Sequence, residues 1–205
     1  MPEWSAAPFV PRSTSVSRLA EAAASCEGCP LFRDATQTVF GAGPTTALAV
    51  LVGEQPGDVE DRRGRPFVGP AGRVLWECVE AAGIDHDQLY VTNAVKHFKH
   101  EQRGKRRLHQ RPTAAEIEAC HPWLVSELRA VPAVPVAALG AVAARSLLGR
   151  TVSIGAARSE RFELDGRTVI VTYHPSAVLR ADERAAEVRA ALVADLRRLG
   201  ELIAG

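Results

Sequence analysis

The alternation of apolar runs with helix-like patterns predicts a sheet covered by helices. Apolar, β-branched runs that predict strands lie at residues 48–53, 89–95, 134–140 and 168–175. Apolar residues three and four positions apart predict helices at residues 71–83, 113–130, 140–149 and 183–203. Because the apolar runs are almost continuous, the strands are expected to be buried on both faces of the sheet.

This order of strands and helices is typical of an α/β fold with a parallel sheet. We therefore expect a three-layer α/β/α sandwich with a central, mainly parallel four-stranded sheet. No linker rich in Gly, Ser or Pro divides residues 16–205, so the sequence predicts a single domain there. Residues 1–15 carry several prolines and serines without periodicity, and we expect them to form a mobile N-terminal tail.

Positive charge is concentrated in one segment, although the formal net charge is only +1 over 205 residues. Residues 96–111 contain one acidic residue, Glu101, among the cations Lys96, Lys99, Arg103, Lys105, Arg106, Arg107 and Arg111. Such a local excess of positive charge predicts contact with a polyanion. His109 lies among these cations in the stretch "KRRLHQRP". Phosphate binding does not need a histidine, so His109 requires a separate explanation.

Hydropathy along the chain argues against a membrane protein. No apolar run approaches the roughly 20 residues that a membrane-spanning helix needs. The N-terminus also lacks the apolar segment of a signal peptide. The sequence therefore predicts a soluble cytoplasmic protein without a membrane partner.

Two loops after the first predicted strand carry candidate ligand-binding residues. In an open α/β sheet, ligands bind beyond the carboxyl ends of the strands. The loop "GEQPGD" places Glu54 and Gln55 there, beside Gly57, which lets a ligand approach the backbone. Phe67, in "GRPFVGPAG", could stack on a flat ligand. The alternatives are an ordinary solvated turn for the first loop and a core position for Phe67.

Polar residues also end two other predicted strands. Asn93 offers a donor and an acceptor side by side, which suits the edge of a nucleobase, although asparagine also caps turns. His174 is followed by Pro175 and Ser176 at the start of a predicted helix, where outward amides suit an anionic group. A buried, hydrogen-bonded core histidine is the alternative for His174.

The cysteines indicate a metal site. Cys26 and Cys29 have C-x2-C spacing, which in an intracellular protein more often indicates metal binding than a disulfide. Further ligands must come from Cys78, Cys120 or a histidine. Cys78 lies on an apolar helical stripe and is better explained as a small buried residue, so Cys120 is the better candidate. The residue types alone do not separate zinc from an iron–sulfur cluster.

Seven motifs occur in the following order along the chain: "CEGCPL", "VFGAG", "LVGEQPGDVED", "GRPFVGPAG", "VTNAVK", "LGAVAARSLLG" and "HPSAVLR". From Cys26 to the C-terminus, this set resembles the iron–sulfur uracil-DNA glycosylases, family four of that superfamily. Within this family the sequence is most similar to the UdgX group, which is marked by a basic insertion that ends in histidine. Here that insertion is "GKRRLH", residues 104–109.

The resemblance implies roles for the residues at the ends of the strands. Glu54, Gln55 and Gly57 would line the pocket beside the scissile bond. Phe67 would stack on a flipped uracil, and Asn93 would read its N3 and O4 edge. In the "HPS" motif, His174 would lie against O2, where negative charge develops, with Ser176 as a further substrate contact. The implied partner is uracil-containing DNA, single- or double-stranded, and a monomeric protein is expected.

The resemblance also implies a ligand set for the metal site. Family four has a cysteine after the lysine of the "N-x-V-K" segment, and His97 stands at that position here. The implied ligands are Cys26, Cys29, His97 and Cys120, which would hold an iron–sulfur cluster, expected to be 4Fe–4S. Histidine replaces cysteine on iron in some clusters. Zinc is the alternative.

For His109, the resemblance to the UdgX group implies the role of nucleophile. It would attack C1′ after uracil leaves, with Glu54 holding the imidazole, and would stay attached to the abasic site after one turnover. Lys105, Arg106, Arg107 and Arg111 would clamp the loop and the DNA phosphates. The alternatives are a conventional uracil-DNA glycosylase with multiple turnovers and a DNA-binding protein without catalytic activity.

Overall fold

The computed structural model describes residues 4–132 and 135–205. The strands are β1 Ala49–Gly53, β2 Leu89–Asn93, β3 His100–Arg103, β4 Arg106–His109, β5 Val136–Leu139, β6 Phe162–Leu164 and β7 Arg167–Thr172. The helices are α1 Val16–Ala23, α2 Asp58–Arg63, α3 Pro70–Ala81, α4 Ala114–Ala130, α5 Ala141–Leu148, α6 Ile154–Ala157, α7 Pro175–Leu179 and α8 Ala185–Ala204.

The central sheet confirms the predicted fold class. Its strand order is β2-β1-β5-β7-β6, and the first four of these strands are parallel. They correspond to the four predicted strands, although Val134, where the third was expected to begin, lies outside the described residues. The sheet has five strands and not four, because β6 adds an antiparallel edge to β7. With three residues, β6 is too short to give a recognisable apolar pattern.

Apolar side chains cover both faces of the sheet, as the continuous apolar runs predict. Leu51 packs on one face with residues of α3 and α8, such as Leu75 and Leu192. Val50 and Val52 pack on the opposite face with α4 residues such as Leu124. Successive residues of β1 therefore enter different cores, which is why the strand is apolar throughout.

Local signals in the sequence set the ends of two helices. Thr113 and Glu116 form a capping box at the start of α4, where each side chain accepts from the backbone N–H of the other. Gly149 ends α5 with a φ of 67°, which favours glycine. The ranges predicted from apolar periodicity, 113–130 and 140–149, agree with these ends to within one residue.

The N-terminal segment packs against the domain where the structure describes it. Ala6 is 1% exposed, and its N–H donates to the main-chain oxygen of Ala119 over 2.8 Å. A Cβ at Gly28 would lie 2.6 Å from the Cα of Ala6. Packing therefore begins before the expected domain boundary at residue 16, while the mobility of residues 1–15 stays a prediction. Within residues 4–132 and 135–205, every helix is too short or too polar to span a lipid bilayer.

Candidate active site

A cavity of about 870 Å³ opens at the carboxyl ends of the parallel strands. Its lining includes these predicted site residues: Glu54, Gln55, Gly57, Phe67, Asn93, His109, Arg111, His174 and Ser176. The convergence follows from the topology, because β1, β2 and β7 run in the same direction and end at one edge of the sheet.

The basic segment forms a two-stranded hairpin outside the central sheet. Strands β3 and β4 are antiparallel, with His100 opposite His109. Gly104 lies in the turn with a φ of 59°, which favours glycine. The sequence predicts a basic loop here and misses the hairpin, since the two strands are largely polar and exposed. The hairpin brings His109, the last residue of β4, to the cavity.

Arg107 attaches this hairpin to helix α2. Its Nε lies 2.5 Å from Oδ1 of Asp58, and its Nη1 lies 2.6 Å from Oδ2 of Asp61. Nη1 also donates to the hydroxyl of Thr36 over 3.0 Å. Burial disfavours the guanidinium charge, but the two carboxylates outweigh it and raise the pKa of Arg107. With its side chain 12% exposed, Arg107 anchors the loop, whereas Lys105, Arg106 and Arg111 are exposed.

Gln55 holds the two ends of the hairpin together. Its Nε2 donates to the main-chain oxygens of Lys99 (3.2 Å) and Gln110 (3.0 Å), and its Oε1 accepts from the N–H of Lys99 (3.1 Å). The residue is 7% exposed. Its carboxamide is therefore engaged with the backbone on both sides of the hairpin, so the structure supports a positioning role.

His109 and Glu54 face each other at the edge of the cavity. Nε2 of His109 lies 3.2 Å from Oε1 of Glu54, and the two side chains are 51% and 22% exposed. Oε1 is buried and accepts no well-aligned hydrogen bond from the described residues. Burial opposes the charge on Glu54, but His109, His174 and Arg111 outweigh it and lower the pKa of the carboxyl group. Glu54 is thus an ionised acceptor beside the imidazole.

His174 is held as a neutral imidazole with a defined tautomer. Burial lowers its pKa to about 4, although Glu54 opposes this shift. The N–H of Ser176 donates to Nδ1 over 3.2 Å, and the hydroxyl of Ser176 lies 2.7 Å from the same nitrogen. Nδ1 is therefore the acceptor and Nε2 carries the proton. Arg180, which the sequence analysis did not identify, donates to the Ser176 hydroxyl over 2.9 Å.

Phe67 is fixed in a strained conformation. Its φ is 53°, which is unusual for a residue with a large side chain. Nε1 of Trp76 donates to its main-chain oxygen over 3.0 Å, and the buried Glu60 accepts from the N–H of Gly69 over 2.7 Å. A Cβ at Gly53 would lie 2.6 Å from Cζ of Phe67. No sequence pattern pointed to Gly53, Glu60 or Trp76, apart from the glycine-rich motif around Phe67, which is typical of a constrained loop.

Three of the four cysteines share one buried cluster. Cys26, Cys29 and Cys120 belong to the same core group, whereas Cys78 packs in a different one beside Leu75. Burial raises the pKa of Cys120 to about 12, and the neighbouring thiols of Cys29 and Cys26 add to the shift. Burial likewise raises the pKa of Cys29. The grouping separates Cys78 from the others, in agreement with its place on an apolar stripe.

His97 connects to the cysteine loop through Thr38. The Thr38 hydroxyl donates to the main-chain oxygen of Ala23 over 2.8 Å, and the N–H of Cys26 donates to the same oxygen over 3.0 Å. Having donated its one proton, the hydroxyl accepts from Nε2 of His97 over 3.0 Å. Nδ1 of His97 then keeps its lone pair, as a metal-ligating imidazole requires. Burial lowers the pKa of His97 to about 4, although Asp61 opposes this.

The types of donor present can be compared with those that an iron–sulfur cluster requires. Among residues 4–132 and 135–205, no three His, Cys, Asp or Glu side chains converge closely enough to hold a single ion. An iron–sulfur cluster is bound by thiolates, and in some proteins by imidazole, attached to separate irons. Three buried thiols and an imidazole with a free lone pair meet that requirement chemically.

Comparison with known proteins places the chain in a family. Residues 40–197 match the model of the Uracil DNA glycosylase superfamily. The chain is 36% identical over 180 residues to the type-4 uracil-DNA glycosylase of Thermotoga maritima, covering 87% of this chain and 89% of that protein. It is 33% identical over 186 residues to the type-4 enzyme of Archaeoglobus fulgidus, covering 87% and 88%. On this evidence, the chain belongs to the uracil DNA glycosylase superfamily.

Proposed function

We propose that the protein excises uracil from DNA and then stays covalently attached, through His109, to C1′ of the abasic site. Uracil excision is supported by the superfamily and by the similarity to type-4 uracil-DNA glycosylases. The observation that carries the covalent step is the 3.2 Å contact between Nε2 of His109 and Oε1 of Glu54 at the cavity. In this contact, an imidazole that can act as a nucleophile lies beside the carboxylate that would assist it.

Base recognition would depend on Asn93 and Phe67. A base must leave the DNA stack to reach a pocket of this kind, and an aromatic ring can stack on the flipped base. The Asn93 carboxamide would accept from uracil N3–H and donate to O4. Cytosine presents the opposite pattern at these two positions and would leave buried polar groups unpaired. Asn93 is 3% exposed, so a polar group left there without a hydrogen bond would weaken binding.

His174 would stabilise the leaving uracil. Cleavage of the C1′–N1 bond leaves the electron pair on uracil, and negative charge grows at O2. The proton on Nε2 of His174 is available for a hydrogen bond to that oxygen, because Nδ1 is occupied by Ser176. A neutral donor that is already in place costs little reorganisation during the reaction.

His109 would then form the new bond. Nε2, which lies 3.2 Å from Oε1 of Glu54, would carry the proton, and the lone pair on Nδ1 would then be free to attack C1′. The electron pair of Nδ1 forms the Nδ1–C1′ bond, and the Nε2 proton passes to the Glu54 carboxylate. The resulting neutral imidazole is a poor leaving group, so the product is a stable protein–DNA adduct after a single turnover.

Exposed residues around the cavity would bind the DNA. Lys105, Arg106 and Arg111 are exposed and suit phosphate contacts. Leu179, also at the cavity, is 52% exposed, which is unusual for leucine in this protein. Proteins that unstack bases commonly insert an apolar side chain into the gap, and Leu179 is placed to do so.

Cys26, Cys29, His97 and Cys120 would hold an iron–sulfur cluster. These residues come from the loop after α1, the segment after β2, and α4. The cluster would act as a cross-link between these segments. It would thereby hold the segment that follows Asn93 without taking part in the cleavage.

A conventional, multiple-turnover glycosylase is the second candidate, and one observation favours it. Oε1 of Glu54 is buried and accepts no well-aligned hydrogen bond from the described residues, so it could orient a water molecule. Water in place of His109 would attack C1′ and release the DNA. Every other pocket residue would keep its role.

One gel separates these possibilities. The purified protein is mixed with a uracil-containing oligonucleotide and denatured with detergent and heat, with His109→Ala and a thymine-only oligonucleotide as controls. A uracil-dependent shifted band that requires His109 supports the proposal. Alkali-sensitive sites without a shifted band, formed in excess over protein, would establish the conventional enzyme instead. Binding without either product would leave only a DNA-binding protein.

A further inference from the structure

A buried lysine lies directly behind the residue that is proposed to read uracil. The ammonium of Lys96 donates to the main-chain oxygen of Asn93 (2.7 Å) and to the hydroxyl of Thr92 (2.6 Å). It also pairs with Glu127, and both charged side chains are 1% exposed. A charge in the interior is tolerated only when it is paired and hydrogen-bonded. These contacts together supply the pairing and the hydrogen bonds that the buried ammonium requires.

Glu127 is held from several directions. Its Oε1 accepts from the hydroxyl of Tyr90 (2.9 Å) and from the N–H of Gly41 (2.9 Å). The hydroxyl of Thr92 lies 2.9 Å from Oε2. Burial raises the pKa of Tyr90, and the Glu127 carboxylate raises it further, so the tyrosine stays a donor. The carboxylate is thus satisfied by groups from β2 and from the loop around Gly41.

The position of Asn93 in the sheet gives this network its importance. Among the strands that the structure describes, β2 pairs with β1 alone, and on its other side only Val91 is bridged, by Ala42; Asn93 is its last residue. Beyond it, the chain turns away and Ala94 donates to the oxygen of Gly53 over 2.9 Å. The Lys96 ammonium supplies the Asn93 oxygen with a donor that no further strand provides. It thereby fixes the peptide group from which the Asn93 side chain projects.

We infer that Lys96 and Glu127 are positioning residues for Asn93, and that their ion pair aims its carboxamide at the edge of uracil. The inference rests on the proposed function, since it takes Asn93 as the residue that reads the base. Lys96 also approaches the metal site, because its main-chain N–H lies 3.3 Å from Sγ of Cys120. That contact involves only the backbone and is kept when the side chain is changed, which removes just the effect of the Lys96 charge on the Cys120 thiol.

The test uses the double variant Lys96→Met with Glu127→Gln. Methionine removes the ammonium with little change in length, and glutamine keeps polar atoms for Tyr90, Thr92 and Gly41. Because neither charge is left unpaired, the double variant avoids the cost of a lone buried ion. Thr92→Val, which loosens the pair without removing a charge, is the second variant and is available if the first does not fold.

Two readouts are measured with the full-length, metal-loaded protein. They are the rate of uracil release with protein in excess over oligonucleotide, and the rise in melting temperature on addition of free uracil. We expect the double variant to release uracil roughly 10- to 100-fold more slowly and to lose most of the rise. Thr92→Val should slow release by roughly threefold to tenfold. Visible absorbance per protein should match the wild type, because the Cys120 contact is retained.

Leu147→Ala is the stability control, since Leu147 is a buried core residue outside the cavity. It should lower the melting temperature but keep the wild-type release rate well below that temperature. Release and uracil binding within twofold of wild type in both test variants would overturn the inference, as would a loss of visible absorbance in step with the rate. A wild-type protein that neither releases nor binds uracil would instead overturn the proposed function, and the inference with it.

Discussion

The guanidinium of Arg107 lies 2.6 Å from the carboxylate of Asp61, and the Asp61 side chain is fully buried. This contact joins the hairpin that ends at His109 to helix α2. Asp61 also accepts from the N–H of Thr36 over 3.0 Å, so its own position is fixed. The location of His109 beside Glu54 therefore depends on an ion pair formed two residues earlier in the same strand.

Substitutions of the neighbouring residues Arg107 and Arg106 are expected to have different effects on adduct formation and on DNA binding. Arg107→Met should lower the rate of adduct formation by at least about tenfold, because a mobile hairpin presents His109 in the right place less often. Arg106→Ala should weaken DNA binding and reduce the slope of log affinity against log salt by about 1. Gel-shift titrations at several salt concentrations and timed adduct assays measure both effects. A reduced salt slope in Arg107→Met would mean that Arg107 binds phosphate instead.

Glu54→Gln should slow adduct formation by roughly 10- to 100-fold. Glutamine keeps the shape of the side chain but cannot take the Nε2 proton of His109 or favour its charge. The measurement is a quenched time course on denaturing gels with protein in excess. DNA affinity should change little, which a parallel titration at the same salt concentration would check. An unchanged rate would remove Glu54 from the covalent step.

Gly53→Ala should nearly abolish uracil release, by roughly 100-fold or more. An added Cβ would overlap Oδ1 of Asn93 and lie 2.6 Å from Cζ of Phe67, so the base site would be displaced. Gly155→Ala is the matched control, since a Cβ there meets no atom within 4 Å. It lies in a helix and should keep the wild-type rate. Comparable rates for the two variants would mean that the Gly53 contacts do not shape the base site.

His174 should make the protein less stable in mild acid. Its folded pKa of about 4 lies below the ordinary value of 6.5, so the unfolded chain binds a proton that the folded form rejects. The contribution of His174 to the free energy of unfolding is therefore fully present above about pH 6.5 and is lost as the pH falls toward about 4, a loss on the order of 3 kcal/mol. Glu54, Arg180 and His109 are the charged or titratable groups that act on His174. All three are kept in a His174→Gln variant, which therefore removes only the imidazole.

The check is the melting temperature of wild type and His174→Gln between about pH 7 and about pH 4.5. The wild type should lose more, by several degrees, because a loss of 1 kcal/mol lowers the melting temperature by roughly 2–4 °C in a chain of this size. Equal losses in the two proteins would show that His174 has an ordinary pKa in the folded state.

His97→Ala should diminish the visible absorbance of an iron–sulfur cluster, because it removes one of the proposed ligands. Cys78→Ala should leave that absorbance unchanged, since Cys78 packs in a separate core group. Iron and zinc contents measured on the same samples identify the metal. If Cys78→Ala lost the absorbance and His97→Ala kept it, the ligand assignment would be reversed.

Much of the site can be predicted from the sequence, because its residues lie at the ends of strands that the sequence also predicts. Continuous apolar runs identify buried parallel strands, and parallel strands end at one edge of the sheet. Glu54, Asn93 and His174 each lie at or just after the end of such a strand, so their proximity can be predicted from the sequence. The apolar stripe around Cys78 likewise separates it from the other cysteines.

Contacts between distant segments could not be predicted in this way. The carboxamide of Gln55 is engaged with the backbone of Lys99 and Gln110, and the Lys96 ammonium is buried against Glu127. In the sequence, Lys96 reads only as one more cation of a basic segment. Its burial depends on α4, which follows later in the chain.

Local patterns along the chain are enough to predict the fold class, the edge of the sheet where the site lies, and the residue types available there. Which of two adjacent arginines is an anchor and which is exposed depends on contacts that form in the folded protein. Arg106 and Arg107 are chemically identical, and the partner that distinguishes them, Asp61, is 46 residues away from Arg107. The periodicity of apolar residues predicts which residues of a strand or helix are buried. The role of a charged side chain depends instead on which distant group lies against it in the folded protein.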